Sequence, residues 1–243
     1  MTGCKENSPV APEPTDGIQP KSAMKDGDDQ VSMDFIVQFR NMIQRGQAEM
    51  PAKIDEFIRR FQSERPEYVR PAERPNVKLF TNEGARLDNT KLISRTIPKT
   101  SQPIGLMNGN STHQQQSETV TTPQLWRYFL LGTLAAYTVP TYVGFTNSWR
   151  NDVWIEVASQ AFSLPNYFPA AIDEIAVSYD VWVDGFYIGG EEKISSNSSI
   201  AFESGVIQDD PMYLNIYGAQ SNHSFKVEGI DIQFPPQTGF LLN

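Results

Sequence analysis

The stretch from Ile172 to Gly190 has the clearest alternation of hydrophobic and polar positions in the chain. One face at period two is apolar throughout and the other is mixed, which indicates a β-strand with one face in a core. Asp184-Gly185 follows at once and predicts a two-residue hairpin turn. We expect a short return strand at residues 186–188, ended by Gly189 and Gly190. The predicted core face consists of Ile175, Val177, Tyr179, Val181 and Val183.

The rest of the chain after Gln124 shows similar short strand patterns, broken where Pro, Gly, Asn and Ser cluster. In the last of them the phase slips at Glu228-Gly229, which predicts a β-bulge. Eight strands without intervening helical periods predict a mainly β fold, an eight-stranded antiparallel β-sandwich of the jelly-roll type. The predicted strands are residues 126–138, 141–146, 152–158, 173–183, 186–188, 199–202, 212–217 and 224–234.

Two short amphipathic helices precede the strands. Ser32 is suited to cap the first helix, and Gly46 weakens or ends it. Pro51 suits the first turn of the second helix, which Arg65-Pro66 terminates. The apolar stripes are too small to fold alone, so they must pack on the β domain, on each other or on a neighbouring chain. They consist of Phe35, Ile36, Phe39, Met42 and Ile43, and of Ile54, Phe57, Ile58 and Phe61.

Changes in composition divide the chain into four parts. Residues 1–30 have almost no large apolar side chains and predict a disordered or partner-ordered arm. Residues 31–65 contain the helices. Residues 66–123 form a Pro-rich extended segment, in which residues 108–117 are expected to be a polar loop. Residues 124–243 form the predicted jelly-roll domain.

The charge is unevenly distributed along the chain. Residues 1–125 contain 16 basic and 16 acidic side chains, whereas residues 126–243 contain 4 basic and 13 acidic ones, so the net charge of −9 resides entirely in the β domain. We expect such a domain to bind polyphosphates poorly. Cys4 is the only cysteine, which excludes a disulfide within one chain. The most apolar window, residues 126–145, contains Arg127 and Pro140 and favours buried strands over a membrane span.

Residues with catalytic potential are few and scattered. The chain has two histidines, His113 and His223, and together with Cys4 they lack the spacing of a metal site. We find no phosphate-binding loop and no nucleophile motif. The adjacent acidic pairs lie at predicted turns and strands, where neighbouring side chains point to opposite faces, so they do not form a glycosidase pair. We therefore expect no enzymatic activity, no cofactor and no metal.

The tryptophan residues point to a second function, the binding of sugars. Exposed rings could form a platform that stacks on sugars, and the candidates are Trp126, Trp149, Trp154 and Trp182. Trp182 shares its predicted strand face with Ser178 and Asp180. Because the chain also supplies a long N-terminal arm, we favour a Trp182 side chain that is covered by an arm or by a neighbouring subunit.

Two stretches carry a family resemblance. Residues 151–168, NDVWIEVASQAFSLPNYF, resemble a strand that gives way to a loop. Residues 224–240, SFKVEGIDIQFPPQTGF, resemble a last strand followed by a Pro-containing tail. With the polar arm, the short helices and the extended segment, the chain resembles the jelly-roll capsid subunits of picorna-like positive-strand RNA viruses of insects, such as the Nora virus lineage.

The resemblance implies a structural subunit of an icosahedral capsid, located in the virion and assembled in the host cytoplasm. Its implied partners are copies of itself and related capsid subunits, with a weak contact to genomic RNA and an unknown host receptor. In that family, N-terminal arms thread along neighbouring subunits. The predicted inter-subunit contacts are therefore Phe35, Ile36, Phe39, Ile54, Phe57, Ile58, Phe61 and Trp182.

Two other functions fit the same sequence. A β-sandwich module that binds carbohydrates or mediates adhesion would present an exposed aromatic platform. A phage-type tail or fibre protein would show trimeric symmetry instead of a closed shell.

Overall fold

The computed structural model describes residues 31–48, 50–81, 111–143, 148–208 and 215–242. The predicted arm, residues 1–30, lies outside these ranges. Within them the fold is mainly β, with an N-terminal pair of helices. The helices are α1 (Met33–Ala48) and α2 (Ala52–Glu64). The strands are β1 (Lys78–Thr81), β2 (Ser111–Thr121), β3 (Arg127–Val143), β4 (Ser148–Ser163), β5 (Phe168–Pro169), β6 (Ile172–Val183), β7 (Phe186–Ser198), β8 (Ile200–Gln208), β9 (Ile216–Val227), β10 (Ile230–Gln233) and β11 (Gln237–Leu242).

The strands form two antiparallel sheets. Sheet I has the order β1-β8-β4-β3-β2, with β5 paired to the end of β4. Sheet II has the order β10-β9-β6-β7, and β11 pairs with the remaining length of β9. The inner faces of both sheets share one hydrophobic core, which contains Leu134, Ile155, Val177, Val181 and Phe225. The predicted sandwich is therefore confirmed at the level of two antiparallel sheets.

The jelly-roll form of the sandwich is not confirmed. A jelly roll is built from two Greek keys, so consecutive strands mostly fall in opposite sheets. Here the consecutive pairs β2–β3, β3–β4, β6–β7 and β9–β10 each lie within one sheet. The described residues also form eleven strands where the sequence predicted eight.

The central hairpin forms as predicted at its turn. Asp184 and Gly185 have φ angles of 51° and 86°, the left-handed conformation that this tight turn requires. The return strand was predicted to end at Gly190, and this is wrong, because β7 continues to Ser198. The two glycines stay in the ladder, where Gly190 pairs with Asp180 and the register shifts between Val181 and Trp182.

Three further predictions are corrected. The polar residues 108–117 were expected to form a loop, but those from Ser111 onward belong to β2, which pairs with β3 along its whole length. The strands predicted at 126–138 and 141–146 are one strand, β3. Glu228 and Gly229, with φ angles of 49° and 80°, form a two-residue turn between β9 and β10 and not a bulge, since both residues adopt the left-handed conformation of a hairpin.

The helices agree with the sequence pattern. The Ser32 hydroxyl accepts a 3.4 Å hydrogen bond from the Phe35 amide at the start of α1. Arg65 ends α2, and its amide donates to the Phe61 carbonyl oxygen. Both helices and the Tyr68 side chain pack on the outer face of sheet II, against Ala176 and Trp182. We call residues 31–48 and 50–70 the helical layer.

Candidate interaction surfaces

The apolar stripe of α1 is buried inside the chain. Phe35, Phe39 and Ile43 form a cluster with Ala176 of β6, and Ile194 of β7 packs against it. The rings of Phe35 and Phe39 are stacked with centroids 6.4 Å apart. Sheet II thus supplies the surface that this helix needs.

The stripe of α2 is buried in the same way. Ile54, Ile58 and Phe61 form a second cluster with Trp182 of β6, and the Phe57 ring stacks on Phe240 of β11 at 4.5 Å. Trp182 is therefore covered by the chain's own helical layer. Of the predicted inter-subunit contacts, Phe35, Phe39, Ile54, Ile58, Phe61 and Trp182 are buried within one chain, while Ile36 and Phe57 are half-buried. These stripes leave no broad apolar face open to a neighbour.

Three carboxylates of β6 and of the turn that follows it meet the helical layer. Glu174 accepts hydrogen bonds from the backbone amide and the hydroxyl of Ser32. Asp184 accepts from the Tyr68 hydroxyl and, at 2.9 Å, from the Ile216 amide. Burial and the neighbouring Asp184 carboxylate raise the pKa of Tyr68, which keeps it a donor. Asp180 lies between these two contacts and is fully buried.

A buried histidine joins the two sheets. His223 is 0% exposed, its Nδ1 lies 2.9 Å from the Ser159 hydroxyl, and its Nε2 lies 2.9 Å from the Ser221 hydroxyl. Ser159 donates its proton to the Ala176 carbonyl oxygen at 2.7 Å, so Nδ1 must be the protonated nitrogen. Burial lowers the pKa of His223 to about 3, which keeps the ring neutral. Because Ser159 and His223 are both closed off from solvent, this pair is structural and offers no nucleophile to a substrate.

Large apolar side chains are exposed together at one end of the sandwich. The turn between β2 and β3 presents Leu125 and Trp126, which are 81% and 47% exposed. The turn after β4 presents Tyr167, which is 44% exposed, and β5 begins with Phe168, which is 61% exposed. We call these four residues the apolar tip. The sequence pattern placed Trp126 at the start of a predicted strand and gave Tyr167 and Phe168 no role, so this surface was not predicted. The available signal was the presence of large apolar residues beside Pro123 and Pro165, where turn residues are usually polar.

Backbone hydrogen bonds order the two turns of the apolar tip. The Leu125 amide donates to the Thr122 carbonyl oxygen at 2.9 Å within the first turn, and the Leu164 amide donates to the Arg127 carbonyl oxygen at 2.9 Å and so joins the second turn to the start of β3. The Tyr167 ring packs edge-on against Phe129, with centroids 5.4 Å apart. Leu125 and Tyr167 have φ angles of 65° and 55°, a conformation that costs an L-residue roughly 1–2 kcal/mol.

The rim of the apolar tip is mostly acidic. Tyr128, which follows Arg127, donates a 3.4 Å hydrogen bond to Glu228 in the β9–β10 turn. Asp173 is exposed nearby and accepts from the Gly229 amide at 2.9 Å. Burial and the Glu228 carboxylate raise the pKa of Tyr128, so its hydroxyl remains protonated. Arg127 is the exposed basic residue next to Trp126.

The tryptophans do not form the shared platform that the sequence allowed. Trp126 lies at the apolar tip, Trp154 lies in β4 of sheet I, and Trp182 lies in β6 beneath the helical layer. The side chain of Trp149 falls outside the described part of the structure. Among the described tryptophans, Trp126 at the apolar tip is the one exposed ring suited to stack on a sugar.

Two further properties limit the kinds of site in the described ranges. No group of three or more His, Cys, Asp or Glu side chains there is arranged to hold a metal ion. Neither α1 nor α2 has the length and apolar character needed to cross a bilayer. In comparisons with known proteins, no family model, no curated protein and no solved structure matches this chain.

Proposed function

We propose that this chain is a structural subunit of an icosahedral virus capsid, and that its apolar tip contacts neighbouring subunits. The observation that carries the proposal is the exposure of Leu125, Trp126, Tyr167 and Phe168 on one end of a sandwich whose helical stripes are already buried. Exposed apolar clusters on soluble proteins commonly mark interaction sites. The partners are copies of this chain and related capsid subunits. A sandwich suffices for this role, and the jelly-roll connectivity of the resembled family is not required.

The backbone of the apolar tip supports a role in binding. Leu125 and Tyr167 both adopt the left-handed conformation, which a glycine or asparagine would adopt with less strain. Backbone strain of this kind persists mainly where the surrounding structure holds it in place, and it is concentrated at functional sites. The strain therefore makes sense if these side chains meet a partner.

The size of the apolar tip favours repeated weak contacts over a single tight one. Covering a fully exposed large apolar side chain contributes about 1.5–3 kcal/mol, so the exposed parts of four such residues contribute about 5 kcal/mol in total. The loss of translational and rotational freedom on association costs about 4–15 kcal/mol. One such contact is therefore marginal, whereas a closed shell in which each subunit makes several contacts is stable.

The test is a double substitution, Trp126→Ser with Phe168→Ser, in the full chain. Its matched control is Met33→Ser with Val69→Ser, because these residues are 70% and 76% exposed on the helical layer. Light scattering and negative-stain imaging should show large assemblies for the unsubstituted chain and the control, and small species for the tip variant. Assembly that survives loss of both tip residues, or a monomeric unsubstituted chain, would contradict the proposal.

A carbohydrate-binding or adhesion module is the second candidate. The exposed rings of Trp126 and Tyr167 favour it, because sugars stack on exposed aromatic faces. The strand order adds support, since the long-range pairs β4–β8 and β6–β9 with the hairpin β6–β7 resemble the B–E, C–F and C–C′ pairs of immunoglobulin-type sandwiches, which often serve as cell-surface modules.

A glycan screen separates the two candidates. The full chain is titrated with glycans while tryptophan fluorescence is recorded, and Trp126→Ser serves as the comparison. A monomer whose fluorescence changes on glycan binding, with loss of the change in the variant, would favour the module. An assembly that ignores every glycan would favour the capsid subunit.

A further inference from the structure

Asp180 lies in a polar strip between the two apolar clusters that attach the helical layer to sheet II. One cluster surrounds Phe39 of α1 and the other surrounds Ile58 of α2. Between them the outer face of sheet II carries buried polar side chains: Ser178, Asp180, Gln220 and Asn222. The helical layer therefore excludes water from a surface that is partly polar.

The end of α1 closes directly over the carboxylate. A Cβ atom built on Gly46 would lie 3.8 Å from Asp180 Oδ2 and 3.7 Å from Gln220 Nε2, so the helix backbone is in contact distance of this strip. Asp180 Oδ1 accepts a 3.1 Å hydrogen bond from the Tyr187 hydroxyl. Among the described residues, Oδ2 has no donor in bonding geometry, although Gln47 lies close enough to favour the charged form.

Within the described ranges, no ion pair joins Asp180 to a basic side chain. The groups that face it are Tyr187 of β7, Gln47 of α1 and Gln220 of β9. The nearby β7 carboxylates are Glu191 and Glu192, and Glu192 is paired with Arg40 of α1 at 2.9 Å. Among the described residues, an ionised Asp180 is therefore buried without a counter-charge, which is unfavourable.

We propose that the protonation state of Asp180 controls how firmly the helical layer is held on sheet II. The helical layer is held tightly when this carboxyl is neutral, and it opens more often when the carboxyl is ionised. Opening exposes the carboxylate to water, so the open state accepts the charge that the closed state disfavours. This inference is independent of the capsid proposal, since it concerns contacts within one chain.

The expected size of the effect follows from the difference between the two states. Burial raises the pKa of Asp180 from 3.8 to about 6 in the closed state, and the hydrogen bond from Tyr187 and the nearby Gln47 side chain only partly offset this rise. With the ordinary value in the open state, raising the pH from 5 to 7.5 should increase the equilibrium constant for opening by about tenfold. The other contacts of the helical layer to sheet II, such as Ser32 with Glu174, remain in place when the carboxyl is neutral.

Hydrogen exchange of the full chain measures this opening. Backbone amides of α1 are followed at pH 5 and pH 7.5 and corrected for intrinsic exchange rates. Protection of α1 should fall about tenfold at the higher pH in the unsubstituted chain, and it should be the same at both pH values in Asp180→Asn. The isosteric amide keeps the shape of the site and cannot ionise.

Two further variants sharpen the test. Glu192→Gln removes the ion pair with Arg40 and should weaken protection of α1 equally at both pH values. Tyr187→Phe removes a donor that favours the charged form, and it should enlarge the pH effect. A pH-independent α1 in the unsubstituted chain, or an Asp180→Asn variant that keeps the full pH effect, would overturn the proposal.

Discussion

The substitution His223→Gln should change the response of the protein to acid. His223 lies in the core between Ser159 and Ser221, and its neutral ring is held by a hydrogen bond from each side. Glutamine can hydrogen-bond to both serines and cannot become charged. The variant therefore removes one proton-binding group from the unfolded chain while preserving the polarity of the site.

The magnitude follows from the two pKa values of this residue. Burial lowers the pKa of His223 from 6.5 to about 3 in the folded state, so the unfolded chain binds the extra proton below pH 6.5. The free energy of unfolding is therefore not reduced by His223 above pH 6.5, and it falls as the pH is lowered towards 3. Between pH 7 and pH 4 the loss is about 3 kcal/mol, at about 1.36 kcal/mol per pH unit.

Urea unfolding at pH 7 and pH 4 measures the effect. The difference in the free energy of unfolding between the two pH values should be about 3 kcal/mol smaller in His223→Gln than in the unsubstituted chain. Other titrating groups cancel in this comparison. His113→Gln is the comparison, because burial lowers the pKa of His113 as well, but its side chain on the edge strand β2 is only partly buried, so its effect should be smaller. Parallel pH dependence in the His223 variant and the unsubstituted chain would refute the assignment of a buried neutral histidine.

Two more substitutions test the fold and the helical layer. Gly185→Ala should lower the free energy of unfolding by more than Gly229→Ala does, as measured by urea unfolding of both variants. The new Cβ atom at position 185 would lie 2.1 Å from Arg70 Nη2, whereas nothing lies within 4 Å of the one at position 229. Gly229→Ala should therefore cost about 1 kcal/mol, from backbone strain alone. Ile58→Ala should cost about 2–5 kcal/mol by leaving a cavity beneath α2, whereas the exposed Val37→Ala should change stability by less than about 0.5 kcal/mol in the same assay.

Local sequence patterns predicted much of the fold. Period-two alternation predicted β6 and its core residues Val177 and Tyr179, and the Asp184-Gly185 turn forms because both residues can adopt positive φ angles. The apolar stripes of α1 and α2 could be predicted from the sequence because an amphipathic helix must bury one face. These features depend on neighbours within a few residues, which a sequence displays directly.

Local sequence patterns did not predict which segments of the chain pack against each other. The polar strand β2 has no core stripe, and it is ordered because it extends the edge of sheet I along β3. The apolar stripes of the helices could equally have met another chain, and only the outer face of sheet II determined that they are covered within one. Likewise, the return strand β7 continues past Gly190 because β6 remains available to pair with it.

The sequence by itself determined the β class, the helix pair, the central hairpin and the acidic charge of residues 126–243. The tertiary structure alone decided the order of the two sheets, the cover over Trp182, the burial of Asp180 and His223, and the exposure of the apolar tip. The physical reason is that burial depends on contacts between residues far apart in the chain. Asp180 lies beneath Gly46, and Leu125 has no such cover, although neither difference is visible in the local sequence.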